Sequence, residues 1–141
     1  MAQAERDYSH RDVVDKLGVK PGFAVAFAAE PWSLAADLQA RILARTGRAV
    51  AAASERVDVV LVGADATTAV TRVLSDWRSR LDPAGGIWLV TPKRGQPGYV
   101  DQRDLILAGP SAGVVDNKTC SVSETLSGIR FVIRKVDRVY S

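Results

Sequence analysis

The chain has 141 residues, 47% hydrophobic and 25% charged, the proportions of a globular protein of one domain rather than of a disordered chain. Its 19 basic and 16 acidic residues leave a formal net charge of +3 and are spread along the sequence, so the mild basic bias lacks the concentrated patch of a nucleic-acid binder. One cysteine, Cys120, and one histidine, His10, leave no internal disulfide. They also argue against a thiolate or imidazole metal site, and against a histidine-dependent catalytic set, since His10 stands on no motif.

In chain order, Met1 to Asp7 is polar and is expected to be flexible, with no following apolar stretch of signal-peptide type. Residues 9–17 read as a short helix. Ser9 is placed to cap it, Val13, Val14 and Leu17 share one face, and Gly18 ends it. Pro21-Gly22 makes a turn into the apolar run Phe23 to Ala28, a strand buried on both faces. A helix opens at Pro31 or Ser33 and runs to about Arg45, with Leu34, Leu38 and Ile42 one turn apart and Gly47 just past its end.

Val57 to Val62 is the strongest strand signal. Thr67 or Thr68 caps the next helix, whose apolar face is Val70, Val73, Leu74, Trp77 and Leu81. Residues 82–86 form a tight turn before the buried strand Ile87 to Val90. A polar loop from Thr91 to Gln96 leads to a helix from about Asp101 to Leu107, with Pro110 near its end and Gly113 closing the segment. The last strands, about Val114 to Val122 and Gly128 to Val136, read as an antiparallel hairpin joined by a loop containing Ser127-Gly128. Alternating strands and helices imply parallel strands joined by right-handed crossovers. Residues 48–53 are a loop or a short edge strand, because too few residues separate them from Val57 for a parallel crossover.

The strand from Val57, the helix running into Leu81-Asp82-Pro83, the strand Ile87 to Val90 and the terminal hairpin resemble the second half of class I methyltransferases. Residues 8–18, 87–98 and 127–133 are similar to an uncharacterised bacterial family of short methyltransferase-like proteins, domain-of-unknown-function family 3052, over nearly the whole chain. The resemblance implies an α/β fold: a reduced Rossmann-like, class I methyltransferase-like sheet, mostly parallel, with a C-terminal antiparallel hairpin. It brings no reaction.

Methyltransferases hold S-adenosylmethionine on a glycine-rich loop after their first strand and on an acidic residue at the end of the second. The matching stretch here, Ala28-Ala29-Glu30-Pro31-Trp32-Ser33, has no glycine, and Pro31 has no amide to donate. A full second strand, and the helix and strand after it, are missing. Conventional S-adenosylmethionine binding is therefore not expected, and no cofactor is assigned.

Ligands of open α/β sheets bind at the carboxyl ends of the strands, which makes Glu30, Trp32, Asp65, Thr91, Lys93 and Arg94 the candidate residues. Glu30 either orients a polar ligand or sits at a helix start stabilised by the dipole. Asp65 is a base or anchor, or a turn residue ahead of Thr67. Trp32 falls where a cofactor lies in the related fold and either contacts one or fills the space. Lys93 and Arg94, on a glycine-containing loop, are the best anion-holding pair. Trp77, Trp88 and Cys120 read as packing residues, and residues 109–113 as a turn rather than a phosphate loop.

The favoured function is a non-catalytic binding or regulatory protein in the cytoplasm. The alternative is a small-molecule transferase, that is, a methyltransferase with an atypical cofactor site. The partners this reading admits are a small ligand, a protein, or a second copy pairing at an exposed edge near residues 48–53. Neither a membrane nor nucleic acid through Arg130, Arg134, Lys135 and Arg138 is expected.

Overall fold

The computed structural model of the protein describes residues 12–139. The proposed Ser9 cap, His10 and the expected flexibility of residues 1–7 lie outside that range. Five strands form one sheet: β1 (Val25–Glu30), β2 (Val57–Ala64), β3 (Leu81–Pro92), β4 (Val115–Ser121) and β5 (Leu126–Val132), in the spatial order β1-β2-β3-β5-β4. The helices are α1 (Val13–Lys16), α2 (Ala36–Thr46), α3 (Val70–Arg78) and α4 (Gln102–Ala108). The sheet is parallel at β1–β2 and β2–β3 but antiparallel at β3–β5 and β5–β4. It is mixed rather than mostly parallel in its pairings, because β5 enters between β3 and β4.

Strands β2 and β3 are buried on both faces and need cover on both. On one face, α3 and α4 bring Val73, Leu74 and Leu105 against Val60, Val62, Ile87, Leu89, Ile129 and Phe131. On the other, α1 and α2 bring Val14, Leu17 and Ile42 against Val25, Val59, Leu61, Trp88 and Val90. Trp88 is fully buried, and its Nε1 donates to the Leu17 carbonyl at 3.0 Å, which ties the N-terminal helix to the middle of the sheet. A Cβ on Gly128 would lie 3.0 Å from Trp88 Cε3, so the glycine accommodates the indole.

Several boundaries differ from the sequence reading for visible reasons. Helix α1 starts at Val13 with Asp12 as its cap, the carboxylate accepting from Val14 N at 2.8 Å. Strand β1 lies two residues later than expected. Helix α2 opens at Ala36, not at Pro31 or Ser33, because residues 31–35 are used to bring Trp32 and the buried Leu34 onto the sheet. Its end is as expected, with Gly47 left-handed at φ 72.

Neither Thr67 nor Thr68 caps α3, whose first flanking residue is Ala69. Leu81 begins β3 instead of ending that helix. Residues 82–86 are part of β3: the step from Val57 to Val59 on β2 is matched by the step from Leu81 to Gly86, so the extra residues bulge outward. The bulge keeps turn chemistry, since Asp82 Oδ1 accepts from Ala84 N. Ser127 and Gly128 pair inside β5, and residues 122–125 make the hairpin loop. The last strand stops at Val132, short of Val136, and residues 135–137 form a 3-10 turn. Residues 48–53 hold no strand; Ala51 N donates to Val25 O at 2.8 Å and covers one end of β1 as a loop.

Trp88→Ala is expected to cost about 3–5 kcal/mol in urea unfolding, with the far-ultraviolet circular dichroism retained.

Candidate functional site

The carboxyl ends of β1, β2 and β3 end in three short connections that are stitched together. The Thr68 hydroxyl donates to Glu30 O and accepts from Asp65 N, so it joins the ends of β1 and β2. Ala66 N donates to Gly98 O at 2.9 Å, which joins the connection after β2 to the one after β3. Thr68 is therefore spent on joining two strand ends and Thr67 on a turn with Asp65, and α3 starts without a side-chain cap.

Trp32 lies across the end of β2. Its Nε1 donates to Ala64 O at 2.7 Å. A Cβ built on Gly63 would stand 2.1 Å from the Trp32 carbonyl oxygen and 2.8 Å from Cδ2 of its ring. The close approach needs glycine at that position, and the indole then lies over the end of β2. Trp32 is half-buried there and packs against the core on the α1 and α2 side.

Glu30 ends β1 and is not at a helix start, since α2 begins at Ala36. Its carboxylate faces Arg72, with Nη2 to Oε1 at 3.4 Å. It opens onto a hollow of about 230 Å³ shared with Val73, Asp76, Trp77 and Arg80. The Arg80 guanidinium stacks over Trp77 at 4.9 Å from the ring centroid and donates to Ala52 O and Glu55 O. Trp77 is thus half-buried under a cation, while Trp88 is a core residue.

Asp65 is a turn residue in this geometry. Its Oδ1 accepts from the Thr67 hydroxyl at 2.6 Å and from Thr67 N at 2.8 Å, and these bonds hold the carboxyl below its ordinary 3.8.

Thr91, Lys93 and Arg94 come together in one cleft of about 300 Å³, completed by Tyr99, Gln102 and Ser127 among its lining residues. Thr91 is 5% exposed and closes the floor beside its cross-strand partner Ser127. Lys93 Nζ donates to Ser121 Oγ at 2.7 Å, and the Arg94 guanidinium lies 5.2 Å from the centroid of Tyr99. Both cations are therefore held at the cleft wall without a carboxylate partner among the described residues. The carboxylate of Asp101, also in the wall, is turned onto Arg103 N at 2.9 Å. Tyr99 was missed in the sequence, although an aromatic beside Gly98 in a polar loop was a usable signal. Ser127 left none, because only the β3–β5 register brings it to Thr91.

Cys120 is half-buried on β4, and burial pushes its thiol above the ordinary 9.0 despite Lys16 and Lys118. It stays protonated near neutral pH and is no thiolate nucleophile. Among the described residues no cluster of three or more His, Cys, Asp or Glu is set to hold a metal, and no helix is long and apolar enough to cross a membrane.

This sheet, with its reversed strand between β3 and β4, is the class I methyltransferase-like fold. The S-adenosylmethionine-dependent methyltransferase of Aquifex aeolicus superposes with a TM-score of 0.60 at 10% identity, over 86% of this chain and 88% of that one. A TehB-like methyltransferase of Corynebacterium glutamicum gives 0.56 at 9% identity, over 94% and 96%. The O-methyltransferase NcsB1 of neocarzinostatin biosynthesis, solved with S-adenosyl-L-homocysteine, gives 0.61 at 12%, over 93% and 55%. At these identities the likeness is one of fold alone. The chain itself belongs to the family described as protein of unknown function DUF3052, which it matches over residues 14–135. Uncharacterized proteins of Mycobacterium tuberculosis and Mycobacterium bovis are 36% identical over 69 residues, which is 48% of this chain and 44% of theirs; the match spans less than half the length of these relatives.

Two outcomes test the rim. Gly63→Ala is expected to cost about 1–3 kcal/mol through the clash with Trp32, and to shift tryptophan emission to the red as the indole is released. Because the Asp65 pKa is depressed in the fold, its contribution is complete above the ordinary value of 3.8 and lost as pH falls through the folded value. Asp65→Asn is expected to lower stability at neutral pH and to unfold with a shallower acid dependence, read by circular dichroism.

Proposed function

We propose that this protein is a non-catalytic binding or regulatory protein of the cytoplasm, built on a reduced methyltransferase scaffold, and that the cleft of Thr91, Lys93 and Arg94 takes a small anionic ligand. The observation that carries this reading is Trp32 seated on Gly63 with its Nε1 on Ala64 O. An indole in that place takes up room over the end of β2, and the connection after β1 offers no glycine amide to a nucleotide-like cofactor. The reading accordingly assigns no S-adenosylmethionine.

The open ground lies one strand further along, beyond β3. There two cations, a tyrosine ring and the Ser127 hydroxyl line one cleft. A guanidinium held against an aromatic ring keeps its outward N–H groups free for an anion. The carboxylate in the cleft wall, Asp101, is taken up by Arg103 N, which supports holding an anion over converting it.

A thermal-shift and calorimetric panel of inorganic phosphate, citrate, a nucleoside triphosphate and S-adenosylmethionine tests the proposal. At least one anion is expected to stabilise the protein, with the effect weakened at least tenfold in Lys93→Ala/Arg94→Ala. Saturable heat with S-adenosylmethionine that survives this double variant would overturn the reading in favour of a transferase with an atypical cofactor site. No response to any of the four overturns the anion cleft.

A further inference from the structure

The two edges of the sheet are built differently. At the β4 edge, Asp116 and Lys118 are exposed, and the pairing with β5 is interrupted between them. Charges and a bulge are the devices that keep an edge strand from pairing. The β1 edge has neither between Val25 and Ala29, where the residues are Val25, Ala26, Phe27, Ala28 and Ala29.

Main-chain direction decides which groups are open. Ala24 O accepts from Val59 N of the neighbouring strand, whereas Val25 O faces away from the sheet and accepts from Ala51 N. By the alternation of a strand, Phe27 and Ala29 also turn their N–H and C=O groups outward. Among the described residues no main-chain bond outside the sheet ladders engages them.

The side chains along this edge form a knob and a matching hollow. Phe27 is partly exposed, the rest of its ring packed against the core under α1 and α2, and Ala29 is exposed. Beside them is a hollow of about 200 Å³ lined by Phe27, Ala28, Ala29, Ser33, Leu34 and Gln39. Val50, on the loop that covers the Val25 end, is 50% exposed and extends the apolar margin.

We propose that β1 pairs in an antiparallel manner with β1 of a second copy of this chain, the two-fold axis passing between the Ala28 residues. Phe27 then exchanges main-chain hydrogen bonds with Ala29 of the other copy, and each phenyl ring covers the opposite Ala29 and enters its hollow. The knob and the hollow belong to the same strand, which is the requirement of a two-fold interface. Ala28 faces Ala28 as a non-hydrogen-bonded pair, and Glu30 falls opposite Ala26. The Val25 end, already engaged by Ala51, stays outside the new ladder. The two sheets become continuous, and the cleft beyond β3 is left open in each copy.

The test uses the whole chain. Sedimentation equilibrium at submillimolar concentration is expected to give twice the chain mass, reduced to the monomer mass by Ala29→Lys, with an unchanged circular dichroism spectrum. In a Cys120→Ser background, Ala28→Cys is expected to cross-link under mild oxidation, because a non-hydrogen-bonded pair sets Cα atoms about 4.5 Å apart. Ala29→Cys, offset along the strands, is expected not to. A monomer at all concentrations overturns the proposal. So does a dimer that Ala29→Lys leaves intact, or one in which Ala28→Cys fails to cross-link.

Discussion

A strand buried on both faces has to be covered on both, and β3 is where this protein meets that condition. Its odd-numbered apolar residues, Ile87 and Leu89, pack under α3 and α4, while Trp88 and Val90 pack under α1 and α2. Trp88 adds a hydrogen bond to Leu17, so one side chain fills the core and fixes where the N-terminal helix lies. Neighbouring glycines serve the same strand. Gly128 makes room for the ring across the β3–β5 pair, and Gly86 lies under the half-buried Arg130.

From that centre the scaffold is asymmetric. Toward β1 the sheet ends early, and Trp32 lies across the end of β2. The indole is held from below by Gly63 and at its nitrogen by Ala64 O. Toward β5 the reversed strand sets Ser127 against Thr91, and the loop after β3 folds back to stack Arg94 on Tyr99. The fold is that of class I methyltransferases.

The shortened sheet also exposes β1. Small side chains and outward main-chain groups make that strand an adhesive edge, while β4 at the opposite side is charged and interrupted. One loop, through Ala51, closes only the first of the outward groups. The edge and the cleft lie on opposite sides of β2, so occupancy of one leaves the other accessible.

The sequence by itself determined the order of elements, the fold class and the family, because burial on both faces demands the continuous apolar runs of β2 and β3, and amphipathic spacing marks α2 and α3. It also determined that Lys93, Arg94 and Thr91 lie near one another, since they share one strand end and its loop. Tertiary structure decided the rest. Whether Asp82-Pro83-Ala84-Gly85-Gly86 is a turn or a bulged strand depends on what β2 offers alongside it, and local composition is the same for both. Ser127 and Gly128 look like loop residues until β3 pairs with them and Trp88 needs the missing Cβ. Thr68 looks like a cap until Glu30 O and Asp65 N arrive beside it. Each of these outcomes is set by a group distant in the chain, and local propensity carries no record of it.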